Sequence, residues 1–231
     1  MLTVLRREEK YALTTEEAVC YANRFSQFLQ PDTFSHNGNY MVRSLYFDTP
    51  SDKDYFDKLN EQNLRRKIRL RIYSPQDRHV KLELKQKENI YQKKQSLSIS
   101  RRDAAALIHE DYSVLLQYHQ PLAAELYTIM VGEAYRPRSI VEYQRRAFTA
   151  TGNNIRVTFD SCINANEGNF DLFSATLPLY PIMSRSKTIL EVKYNHFMPG
   201  YLSVFLSQID RRSISSSKYC LSRQLGYPCS F

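Results

Sequence analysis

The sequence predicts an α+β fold: an antiparallel sheet of about eight strands, closed or nearly closed as a barrel, with helices packed on its outside. Three observations predict it. Several segments alternate apolar and charged residues with period two, the pattern of a strand with two unlike faces. Helix-start and helix-stop signals fall between those segments along the chain. The central segments carry charge at alternate positions, whereas strands of parallel βαβ units are buried on both faces and read as unbroken apolar runs.

The alternation is sharpest in the stretch RRKIRLRIYSPQDRHVKLELKQKENIYQKK, residues 65–94. Ile68, Leu70 and Ile72 share one parity, and Arg69, Arg71 and Tyr73 the other. Beyond a polar SPQDRH turn, Val80, Leu82 and Leu84 alternate with Lys81, Glu83, Lys85 and Lys87. This predicts an antiparallel hairpin whose polar face carries rows of cations. Like charges side by side on a sheet cost stability unless an anion compensates them, so this face is expected to take an anion.

The remaining elements follow in order. Residues 4–13 predict an opening strand whose inner side periodicity leaves open, since Arg6, Glu8 and Lys10 alternate with Arg7, Glu9 and Tyr11. Thr14 and Glu17 have the spacing of a capping box for a helix running to Gln30, where Pro31 stops it. Asn37-Gly38 marks a turn before a strand over residues 40–47, which Asp48, Thr49 and Pro50 terminate. Residues 51–64 predict a short irregular helix feeding the hairpin, and residues 90–99 a third strand. Ser100 and Asp103 open a helix over 101–110, and the helical stretch that follows to Met130 breaks at Pro121. Further strands are expected at 138–149, 154–160 and 188–194, with a short extra one fitting residues 169–173. Pro199 begins a helix reaching Ile209, and serines at 213, 215, 216 and 217 form a polar loop before Lys218-Tyr219. Neither linker nor repeat divides the chain, so one domain over residues 1–231 is expected.

Composition narrows the partners. Across 231 residues, 32 Lys and Arg face 24 Asp and Glu, and the net charge of +8 favours polyanions. Cys20, Cys162, Cys220 and Cys229 form no CxxC pair, and there is neither an apolar leader nor a run of about 18 apolar residues. The expectation is a cytoplasmic protein with reduced thiols, reaching a membrane only through a partner. GxxxxGK[ST], HExxH and clustered Cys/His spacings are missing, and His36, His79, His109, His119 and His196 are isolated. Arg101-Arg102 and Arg211-Arg212 lack a recognition helix, so nucleic acid is not expected.

Two later strands repeat the hairpin's design. Ile155, Val157 and Phe159 alternate with Arg156, Thr158 and Asp160, and Leu190 and Val192 with Glu191 and Lys193. If the apolar rows pack against helices, the charged rows face inward as a hydrated tunnel lined by Arg69, Arg71, Lys85, Arg156 and Lys193, with Glu83 and Glu191 among them. Arginine forks hold phosphate oxygens in pairs and lysines act as mobile point charges, so the lining suits a triphosphate or a longer phosphate chain. Carboxylates in it could hold a divalent metal against phosphate. The bland alternative is solvent-facing strand positions laced with weak surface ion pairs. Periodicity leaves catalysis and simple binding equally open.

The order and spacing of EEKY at 8–11, RSLYFDT at 43–49, KIRLRIY at 67–73, LELKQK at 82–87, EYQRRAF at 142–148, IRVTFD at 155–160, LEVKY at 190–194 and SKY at 217–219 carry a resemblance. Together they resemble the VTC domain, the polyphosphate polymerase domain of the CYTH or triphosphate tunnel metalloenzyme superfamily. The resemblance implies an antiparallel eight-stranded β-tunnel enclosed by helices. It implies transfer of the ATP γ-phosphate to a growing polyphosphate chain with release of ADP, supported by Mn²⁺ or Mg²⁺. Lys10, Arg43, Arg69, Arg71, Lys85, Lys94, Arg145, Arg156, Lys193 and Lys218 would contact phosphates. Arg69, Arg71, Lys85, Arg156 and Glu191 would be catalytic, with Glu191 the metal ligand. A membrane-associated protein partner is compatible with it.

Three departures from the family pattern bear on this. Arg6 stands where related hydrolases carry the first acid of an ExExK strand, which fits the polymerase branch better. Gln92 stands where the family shows a basic residue, and Lys94, of the same parity, is the substitute. Arg145 shares parity with Val141 and Tyr143, so either the charged face includes Tyr143 or a bulge shifts the register. A tunnel-type triphosphatase and a non-catalytic polyphosphate or nucleotide-binding module remain as alternatives.

Overall fold

Period-two segments become strands and capped segments become helices, in a computed structural model that describes residues 6–35, 38–89, 91–150, 152–209, 214–215 and 217–224. His36, Asn37, Ile90, Arg211, Arg212, Ser213, Ser216 and Cys229 lie outside the described residues. Hydrogen-bonded strands run in the order β1 (Arg6–Thr14), β10 (Lys187–Asn195), β8 (Ile155–Asn166), β7 (Arg136–Ala150), β3 (Tyr40–Asp48), β4 (Leu64–Ile72), β5 (His79–Glu88), β6 (Tyr91–Ser100). Two short strands, β2 (Gln30–Pro31) and β9 (Tyr180–Pro181), pair with β7 and β8. The fold is antiparallel α+β, and among the described residues its pairing is an open path from β1 to β6. Two compact units share the chain: residues 1–41, 143–163 and 183–216, and residues 42–142, 164–182 and 217–231.

In the first unit, β1, β10 and β8 present two unlike faces. Tyr11, Leu190 and Phe159 stand in one row, and Val192 and Val157 in the next. They pack with Ala18, Tyr21, Ala22 and Phe25 of α1 (Thr15–Phe25) and Leu202 and Leu206 of α5 (Gly200–Ser207). Packing thereby settles the side of β1 that periodicity left open: Tyr11 enters the core, and Glu8 and Lys10 take the other face. The capping box forms, with Thr14 Oγ1 accepting from Glu17 N and Glu17 Oε2 accepting from Thr14 N. The helix ends at Phe25, earlier than expected: Gln27 N and Phe28 N donate to carbonyls three residues back, a tighter turn, and Pro31 holds Gln30 extended in β2.

In the second unit, Leu45, Leu70, Leu82 and Leu97 line up across β3 to β6, followed by Phe47, Ile68 and Leu84. Helices α3 (Arg101–Ile108) and α4 (Pro121–Gly132) contact β5 and β6, burying Leu107, Leu126 and Met130. Pro121 sits in the first turn of α4, where its missing donor costs nothing. Residues 51–64 are helical only in α2 (Lys53–Leu59), since Asp52 and Glu61 take left-handed φ of 55° and 50°. The strand expected at 169–173 does not form. Asn169 and Asp171 instead cap turns by accepting from Asp171 N and Phe173 N, and β8 runs on to Asn166 to meet β9.

The start of α2 buries two acids. Burial, together with the charge of Asp48, raises the Asp54 pKa from 3.8 to about 8 against the opposing Tyr135 hydroxyl and Arg66. A raised carboxyl pKa means that the native state keeps the proton, so this stability is complete below the unfolded pKa and drains as pH climbs through the folded one. Asp54→Asn mimics the protonated form. Between pH 5 and pH 9 the parent is expected to lose about 4 kcal/mol more stability than this variant. Urea midpoints at the two pH values measure it, and equal losses would refute the assignment.

Candidate functional site

The polar face of the second unit concentrates positive charge around one carboxylate. The strand register places Tyr46, Arg69 and Glu83 in one row, and Ser44, Arg71 and Lys81 in the next. On the other side of the Glu83 row, Lys67, Lys85 and Lys94 stand directly opposite one another across β4, β5 and β6. Glu83 is fully buried, and Arg69 and Arg71 are each 8% exposed. Arg69 Nε donates to Glu83 Oε2 at 2.6 Å, Lys94 Nζ reaches Oε1 at 2.5 Å, and Arg71 Nη1 lies 3.8 Å from Oε2. Burial opposes the charge on Glu83, but Arg69, Arg71 and Lys94 outweigh it and hold the carboxyl well below the usual range. Arg69 Nη1 also donates to the Tyr46 hydroxyl at 3.0 Å, and Arg71 Nε donates to Ser44 Oγ at 3.2 Å.

Helix α6 (Lys218–Arg223) and its cap Ser217 carry the SKY residues in this unit. Ser217 caps it by accepting from Cys220 N and also accepts from Lys67 Nζ at 2.7 Å. Tyr219 stacks on Tyr46 with centroids 5.1 Å apart. Lys218 opens the helix.

In the first unit the charged face alternates sign. Glu8, Lys193 and Arg156 form one row, Lys10, Glu191 and Thr158 the next, and Ala12, Ile189 and Asp160 a third. Lys10 Nζ lies 2.8 Å from Glu8 and 3.6 Å from Glu191, while Lys193 Nζ lies 3.4 Å from Glu8 and contacts Glu191 as well. Each of the two lysines thus contacts both acids. Burial works against the Lys10 charge, but Glu191 and Glu8 hold its pKa above the usual lysine value. Arg145 binds Asp160 through Nε at 2.6 Å and Nη2 at 2.7 Å, and Arg156 Nη2 donates to Asp32 at 2.6 Å and to the Tyr40 hydroxyl.

Of the residues expected from sequence, Arg69, Arg71, Lys85 and Lys94 share the cationic face of the second unit. Lys10, Arg156, Glu191 and Lys193 share the charged face of the first. Lys94 shares its side of β6 with Gln92 and contacts Glu83. Arg145 keeps the parity of Tyr143, whose ring lies 5.1 Å from its guanidinium carbon, so this face does include Tyr143. Arg43 needs correction as a lining residue. It stands opposite Ile72, in step with Leu45 and Phe47, and is 3% exposed. Glu142 and the carbonyls of Leu172 and Ser174 hold its guanidinium. An arginine on the apolar side needs such partners, and they anchor it away from the Arg71 face.

Sequence reasoning missed Lys67, Glu8, Tyr46 and Asp160 as members of these clusters. The parity of Lys67 with Arg69 and Arg71 in KIRLRIY was the available signal. Asp160 carried the parity of Arg156 and Thr158, but its partner, Arg145, lies on another strand. For a divalent cation, Glu8 and Glu191 offer hard oxygen donors on adjacent strands about the same two lysines. Among the described residues no group of three or more His, Cys, Asp or Glu is placed to hold a metal. The donors suit a cation that takes its remaining ligands from phosphate oxygens.

Solved structures similar to the chain include a Bacillus halodurans protein described as a candidate adenylate cyclase, at TM-score 0.52 and 12% identity, covering 96% of this chain and 99% of that one. This likeness shows the fold. A conserved protein of Pyrococcus furiosus has TM-score 0.45 and 9% identity over 88% of this chain and 87% of its own. A Pyrococcus horikoshii protein has TM-score 0.45 and 11% identity over 95% and 99%. A search of curated proteins returns no match. No helix of the described residues is long and apolar enough to cross a membrane. The VTC domain matches residues 5–227, nearly the full length, which supports a polyphosphate- or triphosphate-binding domain of the tunnel type. On that match the chain belongs to the VTC domain family.

Proposed function

We propose that the chain is a polyphosphate polymerase that transfers the γ-phosphoryl group of ATP to the end of a polyphosphate chain and releases ADP. The observation that carries this reading is the face that Lys67, Arg69, Arg71, Lys85 and Lys94 share, with Arg69, Arg71 and Lys94 around a single buried carboxylate. Three lysines directly opposite one another repel, and a polyanion relieves that repulsion. Arg69 and Arg71 supply forked donors to non-bridging oxygens, and the lysines supply charge that follows a flexible chain.

Phosphoryl transfer asks a protein mainly for positioning and charge neutralisation, and these side chains are suited to both. A terminal polyphosphate oxygen attacks the γ-phosphorus, the bond from that phosphorus to the β–γ bridging oxygen breaks, and ADP departs with the electron pair. No side chain forms a covalent intermediate. Glu191, with Glu8 beside it, would hold Mn²⁺ or Mg²⁺, which supplies Lewis-acid neutralisation of phosphate charge when bound. Lys10, Lys193, Arg145 and Arg156 would neutralise and orient phosphate oxygens.

Incubating the purified chain with ATP and Mn²⁺ and resolving ADP, orthophosphate and polymer length tests the proposal. Long acid-labile chains with stoichiometric ADP are expected; orthophosphate without chain growth would assign the hydrolase instead. The contacts of Glu8 and Glu191 with both lysines favour a second reading, a binding module without turnover. Tight tripolyphosphate binding with no ATP consumption across metals would select it.

A further inference from the structure

Asp48 is fully buried and saturated. Its Oδ1 accepts from Thr49 N at 2.7 Å and Asp54 N at 2.9 Å, and its Oδ2 accepts from Tyr55 N at 3.0 Å and the Tyr219 hydroxyl at 2.6 Å. Three of these donors are local backbone and would fix the turn after β3 without Tyr219. The fourth comes from α6, 171 residues away. Tyr219 is 1% exposed, and the plane of its ring lies 25° from that of Tyr46. The Tyr46 hydroxyl accepts from Arg69, whose guanidinium carbon lies 5.7 Å from the Tyr46 ring centroid. Lys67 Nζ, bonded to Ser217, lies 6.0 Å from the Tyr219 ring centroid. Two cations of the phosphate-binding face are therefore directed by hydroxyls, Tyr46 on β3 and Ser217 at the start of α6, and Tyr219 touches or adjoins both.

We propose that Tyr219 and Asp48 are positioning residues for phosphate binding: their hydrogen bond locks the Tyr219 ring against Tyr46 and sets the first turn of α6, and so orients Arg69 and Lys67. This rests on the cationic face being the phosphate site of the proposed polymerase. Neither residue needs to touch substrate. A phenylalanine at 219 would fill the same volume and keep the stack, so the hydroxyl's contribution is directional. With the bond lost, the ring and the helix turn gain freedom, and the two cations must be ordered by the ligand at its own expense in affinity.

The experiment uses the full chain with Tyr219→Phe, Asp48→Asn and the parent, and inorganic tripolyphosphate as the probe. Calorimetry without metal gives its Kd, the ATP and Mn²⁺ assay gives KM and kcat separately, and a thermal melt reports folding. Tyr219→Phe is expected to weaken tripolyphosphate binding about tenfold and to raise KM similarly, with kcat within about threefold of the parent. Asp48→Asn can keep its oxygen on the Thr49 and Asp54 amides only by turning its amide nitrogen to Tyr55 N–H and to the Tyr219 hydroxyl, which then accepts instead of donating, so this variant is expected to melt earlier than the parent and to fall between the parent and Tyr219→Phe in tripolyphosphate binding. A Tyr219→Phe chain that melts earlier yet binds tripolyphosphate like the parent overturns the inference and leaves the bond a fold anchor only. If Tyr219→Phe does not fold, Asp48→Asn decides by the same binding measurement. A parent that binds tripolyphosphate but makes no polymer defeats the polymerase reading alone, and the binding comparison still decides the positioning role.

Discussion

Glu83→Gln is expected to cost about 3–5 kcal/mol of stability without ligand, because it removes the carboxylate facing Arg69, Arg71 and Lys94 in a buried row. Tripolyphosphate is expected to recover much of that loss. An anion that binds only the native state adds about 2.7 kcal/mol at a hundred times its Kd. The variant, with one more unit of positive charge on the face, should bind it more tightly than the parent does. Thermal melts of both chains across a tripolyphosphate series, against equal ionic strength of chloride, make the comparison. If phosphate protects the variant no more than chloride does, the cationic face is not a phosphate site. The acid side of the same residue gives a sign. A depressed carboxyl pKa contributes stability that is present above the unfolded value of 4.5 and lost only as pH falls below it towards the folded pKa. The gap between parent and variant should therefore persist at pH 6 and narrow under strong acid.

Glu191→Gln should separate binding from turnover. The residue is 6% exposed and shares Lys10 and Lys193 with Glu8, so the substitution withdraws negative charge from the face to which the proposed reaction assigns phosphate oxygens. Tripolyphosphate affinity without metal is expected to stay within about threefold of the parent or to rise. If Glu191 holds the ion as proposed, turnover with ATP and Mn²⁺ is expected to fall by roughly 10²-fold or more, because the substitution removes that ligand. Calorimetry and initial rates on the same preparation test both. Unchanged turnover at saturating Mn²⁺ would remove Glu191 from the metal role.

The register explains why so much of the hairpin could be read directly. Alternation in KIRLRIY and VKLELKQK fixes which side chains share a face, and a short polar turn brings the two strands back into contact. Arg69 and Glu83 then meet as neighbours across it. Arg43 shows the same rule from the other side. Its parity with Leu45 and Phe47 marks it as inward on the apolar face, and the weight given to the RSLYFDT motif hid that. For Arg145 the motif pointed correctly to the charged side, where Asp160 holds the guanidinium. Buried acids are a different case. Nothing in the run FDTPSDKD, a strand end followed by a helix start, marks its acids as buried, yet Asp48 and Asp54 are enclosed because Tyr219 and Tyr135 reach them from 171 and 81 residues away.

What the chain carries locally is the two-faced character of its strands, the cap residues that start its helices and an excess of cations on one parity. These are properties of neighbours in sequence, so periodicity and propensity express them. Which carboxylate each cation meets, and whether an acid is buried or solvated, depends on strands and helices that are remote along the chain. Glu83 among three cations and Glu191 between two lysines exist only once those elements pack, because charge interactions depend on distance and on exclusion of water, and packing sets both.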